Sequence, residues 1–303
     1  YLSEFLFPLI YKKQLANIRT IRVSQTTGSL AGFFCNFFLK GFFNLKFNVF
    51  TTYGYDYVLF ATNRGRLATF FARLHQAIAK LSTNTWITTT EELKVHMAKS
   101  LSVNPQKITL LPNGVDLRNF NVKHEHSANL KQLLFVGRLE DQKNLFNLFN
   151  LVHQSSLPDL KITLVGQGSL LEPLKAHALK LGLSVEFLGS VPYSKLPGII
   201  ASHDLFVTTT KYEGHPKAIL EALACGLPVL AKKAEGVTTL MKNAGQCVAE
   251  TDSEFIEKLK YLELKANRQA FGINAEKYVR ANFDLHELIQ KETELLRDFN
   301  LCN

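Results

Sequence analysis

The sequence has few cysteines, and they stand far apart. The four are Cys35, Cys225, Cys247 and Cys302, with no C-x-x-C pair among them. This spacing argues against a cysteine-bound zinc ion and against a disulfide framework. A reducing, cytoplasmic environment is therefore the expected location.

Long apolar runs are also missing. Residues 30–43 are crowded with phenylalanine, but Asn36, Lys40 and Gly41 interrupt them well short of the roughly 20 apolar residues that a membrane span requires. We predict a helix here that packs on a sheet or inserts partly into a membrane surface, and no transmembrane helix. Because the chain begins at Tyr1 and shows no signal peptide, we expect it to be a fragment of a longer protein.

Acidic residues are scarce in the first part of the chain. Residues 1–120 contain 14 Lys and Arg but only 5 Asp and Glu, so this part carries the whole net charge of +9. The asymmetry indicates either a solvated basic surface or one that faces an anionic partner, such as a membrane or a phosphorylated acceptor. No nucleic-acid-binding signature accompanies the charge, and we expect no nucleic-acid partner.

The 303 residues, of which 46% are hydrophobic, predict two domains. In the first part, the loop at residues 53–57 (YGYDY) follows a strand directly and is either an edge of a ligand site or a tyrosine-lined turn. The turn at residues 112–116 (PNGVD) precedes an expected domain boundary in residues 119–131. The predicted strands here are 20–24, 47–52, 85–89 and 107–111, and the predicted helices are 63–81 and 91–101.

The second part repeats a strand, a loop and a helix. Such βα repetition with right-handed crossovers predicts a parallel, doubly wound sheet whose loops after strands converge at one edge. From residue 254 onward the chain is expected to be helical, ending in a helix at 285–296. The predicted strands are 132–136, 161–165, 184–188, 204–209 and 228–231, with a helix at 170–181.

Residues 211–226 (KYEGHPKAILEALACG) carry the first candidate site. Proline suits the first helical position, so the loop that contains Glu213 is predicted to turn into a helix at Pro216. The amides at a helix N-terminus attract an anion such as phosphate. Glu221, inside the helix, has the chemistry to accept hydrogen bonds from ligand hydroxyls. The alternative is an ordinary surface loop before an ordinary buried helix.

Two cations are expected on the same edge of the sheet. Arg138 and Lys143 follow the strand at 132–136, and the turn that begins at Gly166 follows the next strand. Two cations and a helix dipole suffice to neutralise a diphosphate. The chain has no Asp-x-Asp sequence, so a metal–diphosphate clamp of that kind has no evident ligands.

Several segments resemble the retaining glycosyltransferases of family four, which have the GT-B fold. GRLEDQKN (137–144), LVGQGSL (164–170), FLGSVP (187–192) and YEGHPKAILEALACGLPVLA (212–231) are similar to the donor-binding half of that family, and LLPNGVDLRNF (110–120) is similar to its interdomain junction. The resemblance implies two Rossmann-like, doubly wound domains that face a cleft. It also implies a hexosyltransferase-like enzyme that transfers a sugar from a UDP- or GDP-linked donor, with retained configuration and without a metal or other cofactor.

The resemblance also implies roles for individual residues. Arg138 and Lys143 would bind the donor diphosphate and, with Glu213, form the catalytic set. Glu221 would bind the ribose, Glu213 the transferred sugar and Val191 the base, while residues 53–57 would belong to the acceptor side. The donor-binding set is Arg138, Lys143, Gly166, Val191, Glu213, Gly214, His215, Pro216, Lys217 and Glu221, with the backbone amides of the 214–217 segment assisting.

The sequence departs from the family pattern in three places. Thr209 and Thr210 replace a Pro-Ser pair, and Thr239 stands where an acidic residue is usual. Only 111 residues precede Pro112, fewer than the roughly 150 of a complete first domain. The resemblance therefore implies an incomplete acceptor-side domain at 1–118, joined by a C-terminal helix at 285–303, and a donor-binding domain at 119–284.

The acceptor is not encoded in any of these motifs. The basic, aromatic first part favours a glycan or lipid-linked acceptor of polysaccharide biosynthesis, with peripheral contact at the cytoplasmic membrane face. Two other functions stay open. One is a sugar-nucleotide-binding remnant without turnover, and the other is a GT-B epimerase that acts on a nucleotide-sugar.

Overall fold

Two parallel β-sheets organise the described part of the chain, which comprises residues 20–24, 33, 48–53, 65–122 and 124–301 of a computed structural model. The chain divides into a first unit, Tyr1–Pro112 with Ile289–Asn303, and a second unit, Asn113–Leu288. The helix expected at 30–43, apart from Phe33, and residues 54–57 of the tyrosine-rich loop lie outside the described residues.

The first unit contains a four-stranded sheet. Its strands are β1 (Thr20–Ser24), β2 (Asn48–Tyr53), β3 (Thr85–Thr88) and β4 (Ile108–Leu110), and its helices include α1 (Arg66–Ser82) and α2 (Glu91–Ser100). The strands pair in chain order and all run parallel. The hydroxyl of Thr90 caps α2 by accepting a hydrogen bond of 3.3 Å from the amide of Leu93. Trp86 and Met97 are buried between α2 and the sheet.

The second unit contains a six-stranded sheet with helices on both faces. Its strands are β5 (Gln132–Val136), β6 (Lys161–Val165), β7 (Ser184–Gly189), β8 (Leu205–Thr208), β9 (Val229–Lys232) and β10 (Cys247–Ala249). Its helices are α3 (Leu145–Ser155), α4 (Leu171–Leu181), α5 (Leu196–Ala201), α6 (Lys217–Ala224), α7 (Thr238–Asn243), α8 (Asp252–Tyr261) and α9 (Lys265–Asn282). A last helix, α10 (Leu285–Leu301), begins in this unit, and its residues from Ile289 group with the first unit.

The side chains of the central strands alternate between two hydrophobic clusters. Leu133 and Phe135 of β5 pack in one cluster with residues of α3, α4 and α8, whereas Leu134 packs in the other with residues of α6, α7 and α9. Successive side chains of a strand point to opposite faces of a sheet, so the two clusters lie on opposite faces. Both faces of β5 are therefore buried, which explains its continuous apolar sequence.

The strand order of this sheet is β10-β9-β8-β5-β6-β7, all parallel. The chain proceeds outward from β5 to β7 and then returns to β8, beside β5, before it proceeds outward in the other direction. In such a doubly wound sheet the crevice for a ligand lies outside the carboxyl ends of the two strands at this switch point. The loops after β5 and β8 therefore border the expected binding crevice.

The nine strands predicted from the sequence are confirmed to within one residue at each end. β10 was not predicted, because its apolar run covers only residues 247–249, whereas the β-rich run at β4 continues to Leu111. Among the described residues, no helix combines the length and the apolar character that crossing a bilayer requires.

Candidate functional site

An ion pair spans the switch point of the second sheet. Lys143, from the loop after β5, donates a hydrogen bond through Nζ to Oε1 of Glu213, from the loop after β8. The two side chains are only 14% and 17% exposed, so water screens the pair less than it would screen a surface pair. The structure thus brings together two residues that the sequence predicted to act at one site.

Hydrogen bonds to backbone carbonyls hold the two loops against each other. Gln142 donates through Nε2 to the carbonyl oxygen of Tyr212 at 2.8 Å, and its own carbonyl accepts from the amide of Lys211 at 2.9 Å. The hydroxyl of Thr209 donates to the carbonyl of Asn144 at 2.9 Å. These bonds place Lys143 and Glu213 by fixing the backbone on either side of each.

The loop after β9 contacts the backbone of Glu213 and helps to fix its position. The amide of Glu213 donates to the carbonyl of Glu235 at 2.9 Å, and the hydroxyl of Thr210 lies 3.3 Å from Oε1 of Glu213. Gly236 has a φ of +73°, and a Cβ built there would overlap the carbonyl oxygen of Glu213. Only glycine fits this contact without a shift of the backbone.

A second pair lies on and beside α6. Glu221 is 5% exposed, and its Oε1 accepts a hydrogen bond of 2.9 Å from the hydroxyl of Tyr193. Burial raises the pKa of the Glu221 carboxyl, while the Tyr193 hydrogen bond and the charge of Lys217 lower it in part. Burial and the neighbouring Glu221 raise the pKa of the Tyr193 phenol well above its usual range.

Tyr193 was not among the predicted site residues, although one signal pointed to it. It is an aromatic residue with a hydroxyl, two positions after Val191, in the loop after β7 at the same edge of the sheet. Val191 itself is half-buried and packs against the hydrophobic cluster of α6, α7 and α9.

The helix α6 begins at Lys217, one residue later than predicted. Pro216 takes the N-cap position, with φ −75° and ψ 100°, because its extended ψ does not continue a helix. His215 accepts a hydrogen bond of 3.2 Å at Nδ1 from the amide of Asn113, and its carbonyl accepts one of 2.8 Å from Nδ2 of Asn113. Since Nδ1 is an acceptor, the neutral imidazole carries its proton on Nε2.

The loops after β5 and β6 pack backbone against backbone. Gly166 has a φ of +135°, and a Cβ there would overlap the carbonyl oxygen of Gly137. Glu140 accepts hydrogen bonds from the amide and the hydroxyl of Ser169, at 2.9 and 2.7 Å. The close approach that Gly166 permits is thus made to the protein's own backbone, while Arg138 is exposed beside this contact, 3.4 Å from Gln142.

One aromatic residue does not belong to an open binding edge. Tyr53, predicted to lie on the acceptor side, is 1% exposed and packs edge-on against Trp86, with ring centroids 6.4 Å apart. The side chain of Tyr53 therefore does not line an open edge, and the assignment of residues 53–57 to the acceptor side stays a prediction. In the described part of the chain, no group of three or more His, Cys, Asp or Glu residues is arranged to hold a metal ion.

Comparison with known proteins places these residues in a family. Residues 118–278 match the family model described as Glycosyl transferases group 1. The chain is 34% identical over 161 residues to the UDP-Gal:alpha-D-GlcNAc-diphosphoundecaprenol alpha-1,3-galactosyltransferase of Escherichia coli, an alignment that covers 48% of this chain and 41% of that protein. It is 27% identical over 210 residues to a GDP-mannose-dependent monoacylated alpha-(1-6)-phosphatidylinositol monomannoside mannosyltransferase of Corynebacterium glutamicum, covering 62% and 55%. The chain thus spans about half the length of the curated relatives it matches.

Solved structures share the fold at low sequence identity. Sucrose-phosphate synthase from Thermosynechococcus elongatus superposes with a TM-score of 0.83 at 17% identity, over 98% of this chain and 78% of that one. The Anabaena protein Alr3699/HepE, solved in complex with UDP and glucose, superposes with a TM-score of 0.80 at 19% identity, over 96% and 82%. These likenesses confirm the predicted GT-B fold.

Proposed function

Because the chain belongs to the glycosyl transferases group 1 family, we propose that the protein transfers a sugar from a nucleotide-diphosphate sugar to an acceptor, with retention of anomeric configuration. The observation that carries the proposal is the Lys143–Glu213 pair across the switch point of a doubly wound sheet. A buried carboxylate, Glu221, lies on the helix that starts from the same loop. The arrangement supplies cations, helix amides and two carboxylates at one sheet edge.

The cations and the start of α6 bind the donor diphosphate. Lys143 and Arg138 offer ammonium and guanidinium donors, and the amides of Gly214, His215 and Lys217 add the positive end of the α6 dipole. Pro216 has no N–H, so it contributes only the shape of the N-cap. As the sugar leaves, these groups stabilise the charge that develops on the diphosphate, and no metal is needed.

The two glutamates divide the remaining contacts. Glu221 accepts hydrogen bonds from the ribose hydroxyls, and Val191 packs against the base. Glu213 orients the transferred sugar, which it reaches when the donor diphosphate takes over Lys143. The supporting bonds from Thr210 and the loop at Glu235 hold Glu213 in place for this role.

The relatives favour a lipid-linked or glycan acceptor. The E. coli protein is named for a GlcNAc-diphosphoundecaprenol substrate, and the C. glutamicum protein for a phosphatidylinositol mannoside. Their names also include UDP-Gal and GDP-mannose, which supports a UDP- or GDP-linked donor here. We extend this to an acceptor at the cytoplasmic membrane face. In this proposal the basic first unit contacts that membrane peripherally.

Calorimetric titration of UDP and GDP into wild-type protein, Lys143→Ala and Glu221→Ala tests the donor site. Both substitutions are expected to weaken nucleotide binding at least tenfold, since each removes a charged hydrogen-bonding group, worth roughly 1.5–3 kcal/mol. Lys175→Ala on α4, which removes a lysine from an exposed ion pair with Glu172, is the matched control and should bind as wild type does. Wild-type affinity in both site variants would overturn the assignment.

Product analysis with UDP- and GDP-sugars separates transfer from the alternatives. Transfer to a lipid-diphosphate sugar or a glycan, lost in the two site variants, is the expected result. Nucleotide binding without transfer to any acceptor would identify a binding protein without turnover. Isomerisation of the donor in the absence of acceptor would identify an epimerase.

A further inference from the structure

Helix α1 in the first unit has its large apolar side chains on the outside. Its buried positions are occupied by Ala72, His75, Ala79 and Ser82, which recur at helical spacing and pack toward the sheet. Its exposed positions carry two phenylalanines and three leucines, each between 45% and 79% exposed: Leu67, Phe70, Phe71, Leu74 and Leu81. An ordinary surface helix has the reverse arrangement.

A row of cations borders this apolar stripe. Arg66, Arg73 and Lys80 are exposed and stand seven residues apart, so they lie on nearly one line along the helix. At about 100° per residue, that line runs along one edge of the stripe that Phe70 and Leu74 belong to. The 17 residues of α1 include no Asp or Glu.

We propose that the outward face of α1 is a membrane-binding surface that lies in the interface of a bilayer containing anionic lipid. In this position the leucines and phenylalanines enter the acyl boundary and the cations contact lipid phosphates. The proposal concerns the first unit alone and does not depend on the donor site of the second.

Charge complementarity selects a lipid surface over a protein partner. Phenylalanine and leucine beside Arg and Lys, without a single acid over five turns, match a surface that is apolar below and uniformly negative above. The neighbouring helix α2 has the usual composition, with Glu91 and Glu92 in its first turn and Val95 as its one large exposed apolar residue. Of these two described helices, only α1 combines an apolar outward face with cations and no acid.

Cosedimentation with vesicles tests the proposal on the full chain. Wild-type protein is expected to bind vesicles of phosphatidylcholine with about a third phosphatidylglycerol at low salt, to bind pure phosphatidylcholine weakly, and to be released by salt. The triple variant Arg66→Gln/Arg73→Gln/Lys80→Gln should partition about a hundredfold less, since each cation near an anionic surface contributes roughly a fivefold factor. Phe70→Ser/Leu74→Ser should bind at least tenfold less.

Matched controls distinguish binding through this face from non-specific adsorption of exposed apolar side chains. Val95→Ser on α2 and Leu179→Ser on α4 also remove exposed apolar side chains, and both should bind vesicles as wild type does. UDP affinity without vesicles should be unchanged in every α1 variant, so the donor site is tested independently. Equal vesicle binding by wild type and both α1 variants, or no binding by wild type, would overturn the proposal. So would a wild-type oligomer that Phe70→Ser/Leu74→Ser converts to monomer, since the face would then bind a second copy.

Discussion

The hydroxyl of Tyr193 donates a hydrogen bond of 2.9 Å to Oε1 of Glu221, a carboxylate that is only 5% exposed. Tyr193 follows β7, and its ring packs edge-on against Phe120, with centroids 5.4 Å apart. Burial alone would favour the neutral acid, and the tyrosine counters this by bonding to the charged form. A carboxylate has two oxygens, so a ligand hydroxyl can bind the second.

Tyr193→Phe should make nucleotide binding weaker and more sensitive to acid. Without the hydroxyl the pKa of Glu221 rises further, and the ionised form that accepts ribose hydrogen bonds is lost at a higher pH. Affinity is therefore present above this pKa and falls as the pH drops through it, with an overall loss of roughly three- to tenfold. Calorimetry with UDP between about pH 8 and pH 5 measures both effects. In Glu221→Gln this position carries no charge to lose, so UDP affinity should change less with pH. If the pH dependence of UDP affinity in Tyr193→Phe equals that of wild type, Tyr193 does not support the ionised form of Glu221.

Glu213→Gln should separate binding from transfer. Glu213 pairs with Lys143, so it competes with an incoming diphosphate for the same cation. The amide removes that competition, and UDP should bind as well as or up to about tenfold more tightly than to wild type, while transfer falls about a hundredfold because the sugar is held less well. Titration of UDP and initial transfer rates measure the two effects. Lys143→Gln serves as the opposite control, and equal weakening of UDP binding in both variants would refute this division of roles.

The second sheet could be predicted well because its central strands are apolar on both faces. β5 and β6 match the predicted bounds at both ends, since each is a short β-rich run that ends at a glycine. The site residues Lys143 and Glu213 follow strands of this sheet, so parallel topology alone brought them to one edge. Their direct contact could not be predicted, because it depends on how the loops after β5 and β8 pack.

Contacts between distant segments account for what sequence reasoning missed. Tyr193 and Glu221 are 28 residues apart on different elements, and no local pattern links them. Tyr53 is the last residue of β2, at the end of the strand where a binding residue could lie, but its side chain falls on the core side, where it packs on Trp86. A tyrosine at the end of a strand has the same local sequence signal in either case, so only the packing decides.

His126→Gln should make the second unit less sensitive to acid. His124 and His126 stack edge to face with centroids 4.4 Å apart, close to the buried Arg268. Burial first, and then His124 and Arg268, lowers the pKa of His126 to about 4, whereas an unfolded chain binds that proton near pH 6.5. The unfolded state therefore holds more protons between these values, and the free energy of unfolding falls as the pH drops from about 6.5 to about 4.

His126→Gln should reduce this acid-induced loss of unfolding free energy by about 1–2 kcal/mol, a figure lowered to allow for the partly exposed ring. Urea unfolding at about pH 7 and about pH 5 measures it. The single tryptophan, Trp86, belongs to the first unit, so its fluorescence does not report unfolding of the second. Far-ultraviolet circular dichroism, to which the helices of the second unit contribute, is the signal to use. His153→Gln, on an exposed position of α3, controls for the loss of a histidine. A pH dependence identical to wild type in His126→Gln would contradict the argument.

Gly236→Ala should impair transfer through the position of Glu213. Gly236 and Gly245 have similar positive φ values, +73° and +63°, so alanine strains the backbone at both. At Gly236 the new methyl meets the backbone carbonyls of Glu213 and Gly214, whereas at Gly245 the nearest atoms lie 3.9 Å away, on Asn274. Both variants should lose roughly 1–2 kcal/mol of stability from the strain, and Gly236→Ala more.

The two glycine variants should differ most in turnover. A displacement of Glu213 by about 1 Å is enough to lower transfer about a hundredfold, whereas Gly245→Ala should transfer at the wild-type rate once it is folded. UDP binding should fall less than transfer in Gly236→Ala, because the methyl group meets the backbone of Glu213 and Gly214 and not the side chains of Lys143 and Glu221. Melting temperature, UDP titration and initial rates on the same preparations measure the three quantities. Equal rates in the two variants would mean that the Glu235–Gly236 loop does not position Glu213.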